Sequence, residues 1–153
     1  MSEFMRLALV EAALAVDKVF PYPGVGAILV KEGHVIGRRH NGVPGEPHAE
    51  VKLLEELPRG QWEPDGVVLY TNLEPCCNIG LALSCAQAIL NAKIAEVHVA
   101  MKDPYHLVRG QGISFLEKHG VNVVLGELEE KARYQNRRYL ARFCPSCGWP
   151  ILD

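Results

Sequence analysis

Met5, Leu9, Ala12, Val16 and Val19 recur at three- and four-residue steps, which gives one apolar stripe and predicts a helix over residues 2–19. Pro21 and Pro23 end it. The apolar run 25–30 reads as a buried strand, Glu32-Gly33 as a turn, and 34–39 as its hairpin partner. A Gly/Pro-rich loop, 41–47, leads into a helical pattern over 48–57 that opens at His48. Residues 67–71 are rich in strand formers and predict a central strand. A helix over 81–92 and a strand over 96–101 come next. A second cycle places a helix over 111–119, a strand over 121–125 and a helix over 127–143. Strands separated by helices of this length need crossovers and imply parallel neighbours, so the pattern predicts a three-layer α/β/α sandwich with one antiparallel hairpin.

A chain of 153 residues that is 48% hydrophobic and 22% charged can bury a core as one domain. We expect that domain over 1–143, with a turn-rich tail at 144–153. Sixteen basic against eighteen acidic residues leave a net charge of −2, so a polyanion would have to be held by a local patch. No uncharged stretch approaches the ~20 apolar residues of a membrane span. The N-terminal run carries Glu11 and lacks a cleavage pattern, which predicts a soluble, cytoplasmic protein. Five cysteines, two of them adjacent, do not suit a secreted disulfide framework and point to metal or thiol chemistry.

His48 opens a helix, Cys76 directly follows a strand, and Cys85 lies nine positions on. One imidazole and two thiolates suit zinc, and three protein ligands leave a fourth position for water, as in catalytic rather than structural sites. Glu50, two residues from His48, can sit beside that water without binding the metal and move its protons. Helix N-termini behind His48 and near Cys85 would favour thiolate over thiol. Singly, each residue has a plainer explanation: a surface histidine, a small buried cysteine, a first-turn acid. Jointly they stand at strand-to-helix junctions, where open α/β sheets place their sites. Cys77 is preferred as a small loop neighbour of the ligand Cys76.

These residues resemble the cytidine deaminase superfamily, whose signature pairs H-x-E with a later P-C-x-x-C. The spacing from Pro75-Cys76 to Cys85 is instead similar to the pyrimidine deaminase of riboflavin biosynthesis, as are residues 21–27, 45–51, 73–76, 99–104 and 110–112 in that order. The resemblance covers roughly residues 20–128. It implies a cytidine-deaminase-like mixed five-stranded sheet between helices, one zinc per subunit on His48, Cys76 and Cys85, and Glu50 as general acid/base. It also implies the backbone N–H of Ala49 as a contact for a substrate carbonyl. Tyr22, His40, Asn41 and Asn72 are the further candidates for contact with substrate. Departures fall around that pocket: Tyr22 stands where the family has Asn, Tyr105-His106 where it has a second Asn-Pro, and one extra residue lies between His40 and Gly45. The family's reductase domain has no counterpart, which predicts a stand-alone deaminase.

The expected partner is a small aminopyrimidine-like molecule, in a homodimer or higher homo-oligomer, with no membrane. Action on a nucleic-acid base and a non-catalytic zinc scaffold are the alternatives. Lys131, Arg133, Arg137, Arg138 and Arg142 form a basic cluster on the last helix, but the preceding acids give it the charge order of a solvated helix face. Gly110-Gln-Gly112 could offer N–H groups to a phosphate or be a plain loop. Cys144 and Cys147 make half a zinc knuckle with no second CxxC to complete it.

Overall fold

A computed structural model describes residues 2–58, 62–77, 83–105 and 109–143. The tail at 144–153 with Cys144 and Cys147, and likewise His106, lie outside the described residues. Five strands form one mixed sheet: β1 (Gly26–Lys31), β2 (His34–His40), β3 (Val67–Leu73), β4 (Glu96–Met101) and β5 (Asn122–Leu125), in the order β2-β1-β3-β4-β5. Among the described residues seven helices accompany it: α1 (Ser2–Ala13), α2 (Val16–Val19), α3 (Ala49–Glu55), α4 (Cys85–Asn91), α5 (Gln111–Lys118), α6 (Glu129–Gln135) and α7 (Arg137–Ala141). α1 and α6 pack on one face, with α3, α4 and α5 side by side on the other. The expected three-layer sandwich is therefore what forms. No helix among the described residues is long and apolar enough to cross a membrane.

The hairpin forms as expected, because Glu32 and Gly33 both take positive φ (50° and 76°), the twist that a two-residue turn needs between right-twisted strands. The parallel expectation needs correction at one pair. β1 runs antiparallel to β3 as well as to β2, while β3–β4 and β4–β5 are parallel. The crossover through α3 does join parallel strands, β2 and β3, but it steps over β1 so that they are not neighbours. β1, β3 and β4 are buried on both faces and mostly apolar, whereas the edge strands β2 and β5 are mostly exposed.

Three helices depart from the expected spans. The first breaks between Ala13 and Val16. The third begins only at Cys85, where Ser84 caps it by accepting the Gln87 N–H (3.2 Å). The last divides at Asn136, which leaves helical geometry and turns its buried amide on Gly24. Its Oδ1 accepts the Gly24 N–H (2.9 Å) and its Nδ2 donates to the Gly24 carbonyl (2.8 Å).

Candidate active site and metal centre

β3 ends where Pro75 removes a ladder donor, and the chain turns at once into Cys76. α3 and α4 bring their N-termini to the same end of the sheet: His48 is the extended N-cap residue of α3 and Cys85 the first residue of α4. Nδ1 of His48 lies 3.2 Å from Sγ of Cys85 and 3.6 Å from Sγ of Cys76, and the three ligand atoms are all within 4.8 Å of one another. Bonds of about 2.0 Å to nitrogen and 2.3 Å to sulfur around one tetrahedral centre separate neighbouring donors by roughly 3.5–3.8 Å. The donor set fits zinc in number, chemistry and spacing.

Two backbone amides of α4 serve Cys76. The Ala86 N–H donates to its carbonyl (3.0 Å) and the Cys85 N–H to its sulfur (3.4 Å). The hydrogen bond from Cys85, aided by those from His48 and the Cys85 amide, pulls the Cys76 thiol down to about 4. Its thiolate in turn raises His48 to about 9, chiefly through their hydrogen bond. Cys85 is pushed the other way, because its thiol is held protonated by hydrogen bonding to Cys76 and it is buried beside Glu50. The first amide of α4 thus serves the sulfur of Cys76, the thiol that is lowered. Before metal arrives, the site holds an imidazolium, one thiolate and one thiol.

Glu50 is 2% exposed on the first turn of α3. One carboxylate oxygen receives the Cys85 thiol (3.4 Å) and the other the Thr71 hydroxyl (3.3 Å). Burial raises its pKa, opposed by the charge on His48. A carboxyl group that resists ionisation beside a metal-ligand set is suited to taking up and returning protons.

The other predicted contacts are placed differently. Ala49 is buried at the first position of α3, where an N–H has no partner within its helix. Tyr22 stands half exposed in the turn after α2. His40 faces Glu11 of α1, with Nδ1 3.0 Å from the carboxylate. Asn41 accepts from the Val25 N–H (2.8 Å) and donates to the Pro23 carbonyl (2.8 Å). Asn72 is fully buried, accepts from the Gly26 N–H (2.9 Å) and donates to the Gly24 carbonyl (3.0 Å). Both amides therefore hold the 21–26 segment in place. His48, Glu50, Cys76 and Cys85 come together; His40, Asn41 and Asn72 spend these polar atoms elsewhere. Cys77 is partly exposed, its sulfur directed 4.0 Å from Oε1 of Gln111, apart from the ligand set.

Sequence reasoning passed over four residues. Thr71 orients Glu50, Glu74 anchors the loop after β4, and Asp103 lies within electrostatic reach of His48. Tyr139 of α7 donates its hydroxyl to Asp103 (2.7 Å), whose pKa is raised mainly by burial. An acid just beyond an apolar strand was a usable signal for Glu74 and Asp103, since sites gather at the carboxyl ends of strands. Tyr139 carried none, because its partner is 36 residues away.

The chain is similar to known proteins in sequence and fold. RibD, a riboflavin biosynthesis protein of Aquifex aeolicus, is 38% identical over 136 residues, which are 89% of this chain and 37% of that protein. The Thermotoga maritima diaminohydroxyphosphoribosylaminopyrimidine deaminase/5-amino-6-(5-phosphoribosylamino)uracil reductase superposes with a TM-score of 0.88 at 29% identity, covering 94% of this chain and 41% of that one. A structure from work on A-to-I editing by tRNA:A34 deaminases gives 0.68 at 29% identity, over 88% of this chain and 99% of that one. The chain thus spans well under half the length of the riboflavin-pathway relatives. The family model for the cytidine and deoxycytidylate deaminase zinc-binding region matches residues 1–101. Because that stretch makes up most of the chain and contains His48, Glu50, Cys76 and Cys85, the chain belongs to the zinc-dependent deaminases of the cytidine and deoxycytidylate family.

Proposed function

We propose that the chain hydrolyses an exocyclic amine from a pyrimidine-like ring, replacing it with oxygen and releasing ammonia. The observation that carries this reading is the buried Glu50 carboxyl, set against the Cys85 thiol inside the donor set. His48, Cys76 and Cys85 would hold zinc, which when bound lowers the pKa of water toward neutrality. Glu50 accepts one proton from the attacking water and passes it to a ring nitrogen, then takes the second proton of the same oxygen and gives it to the departing amine, so that the oxygen stays as carbonyl and the amine leaves as ammonia. Thr71 keeps the carboxylate oriented during these transfers. The Ala49 N–H, free of helical pairing, is proposed to donate to a substrate carbonyl. The named activity of the Thermotoga maritima relative supports an aminopyrimidine bearing a phosphoribosyl group as substrate class. A cytoplasmic homodimer or higher homo-oligomer is part of the same proposal.

The similarity to tRNA:A34 deaminases makes an RNA base the competing substrate. The arginines of the last two helices favour the small molecule, because they are engaged within the chain. Arg133 pairs with Glu129 and Arg138 with Asp17. Arg137 stacks on Tyr134, Arg138 on Phe20, and Arg142 donates to the Pro21 carbonyl. A pure zinc scaffold would have no use for Glu50 at its position. Ammonia release from zinc-loaded protein over aminopyrimidine, pterin and purine panels tests the reading. Glu50→Ala should retain zinc and fold while the rate falls about 10²–10⁴-fold. Undiminished turnover would reject the assigned proton carrier, and salt-sensitive binding of single-stranded RNA would favour the competitor.

A further inference from the structure

Glu74 stands between the last residue of β3 and Pro75, and it is 3% exposed. Its backbone N–H continues the pairing with β4 by donating to the Met101 carbonyl (2.9 Å). Its carboxylate accepts three backbone N–H groups from the far side of the site. Oε1 receives those of Gly110 (2.8 Å) and Asp103 (3.2 Å), and Oε2 that of Ile113 (3.2 Å). Two of these donors open α5, whose N-cap, Gly110, has left-handed geometry and no side chain to cap it. Glu74 supplies that cap from another strand. The contact is close: a Cβ on Gly112 would lie 1.9 Å from the Pro75 carbonyl, so only glycine lets α5 reach the turn that carries Cys76.

We propose that Glu74 is a positioning residue of the deaminase centre. By gathering the Asp103, Gly110 and Ile113 amides on one buried carboxylate, it holds the β4–α5 loop against the Pro75-Cys76 turn and so fixes the direction of the Cys76 sulfur. The same bond to Asp103 keeps that residue within electrostatic reach of His48. The proposal rests on the reading of His48, Cys76 and Cys85 as zinc ligands. Groups one step behind metal ligands typically change affinity by about 10–100-fold when removed.

The test compares wild type with Glu74→Gln and Glu74→Asp by amide hydrogen exchange, zinc affinity from chelator competition, and the thiolate-to-metal absorption of the cobalt(II)-loaded protein. In Glu74→Gln the side-chain NH₂ meets backbone N–H groups. Protection at Gly110 and Ile113 should drop at least about tenfold while β1 and β4 amides keep theirs. Zinc should bind about tenfold or more weakly and the cobalt band should shift. Glu74→Asp keeps the charge on a shorter arm and should show the same changes at smaller size; it carries the test should Glu74→Gln not fold. Unchanged protection at those amides, or loosened amides with unaltered zinc affinity and cobalt spectrum, would overturn the proposal. So would a uniform loss of protection, which would make Glu74 a residue of global stability. Wild type that fails to compete for zinc would sink the metal-centre reading itself; wild type that binds zinc no better than Glu74→Gln would sink only the role of Glu74.

Discussion

Two cysteines with one shared duty differ sharply in proton affinity. Cys76 is held as thiolate by the Cys85 side chain, His48 and a backbone amide, while Cys85 keeps its proton in a buried place beside Glu50. His48, raised to about 9, is protonated at neutral pH, so incoming zinc must displace one proton from it and one from Cys85, and none from Cys76. Calorimetry in buffers of different ionisation enthalpy should therefore count about two protons released near pH 7. Apparent zinc affinity should rise up to about 100-fold per pH unit there and only about tenfold per unit above pH 9, where His48 has lost its proton unaided and Cys85 still holds its own. The sign for the metal-free fold is the reverse at His48. Its raised pKa adds stability that is fully present below the unfolded value of about 6.5 and disappears as pH climbs through about 9. The ligands could be read from residue types and spacing because each sits at the end of a recognisable strand or helix. The uses of Asn41 and Asn72 could not, since a side-chain amide reveals its partner only when distant backbone is brought to it.

Among the elements, hydrophobic periodicity located every strand to within two residues, because burial on one or both faces is written into the order of side chains. It did not reveal the division of the last helix. Asn136 has unremarkable neighbours in sequence, and what draws it out of the helix is Gly24, 112 positions earlier. Nor did it reveal that β1 would be flanked by antiparallel partners on both sides, since a crossover that skips a strand has the same local pattern as one that does not. Asn136→Ala should remove two hydrogen bonds and leave the Gly24 N–H without this partner, costing about 2–4 kcal/mol. Differential scanning calorimetry should record that as a fall in Tm of about 5–10 °C. An unchanged Tm would reject the Asn136–Gly24 clasp as a source of stability.

For the molecule as a whole, zinc would tie together three separate parts of the chain: the N-cap of α3, the turn after β3 and the start of α4. Removing it with a chelator should lower stability by about 2.7 kcal/mol relative to protein held in free zinc at 100 times its dissociation constant. Equal melting with and without zinc would contradict a ligand set formed in the folded state. The Asn136 clasp adds an order in time. All three metal-binding side chains belong to the first 85 residues, whereas the amide that closes the Gly24 segment comes only at Asn136. A ribosome-bound chain would thus possess every donor for its ion well before it could secure the segment on which Tyr22 stands.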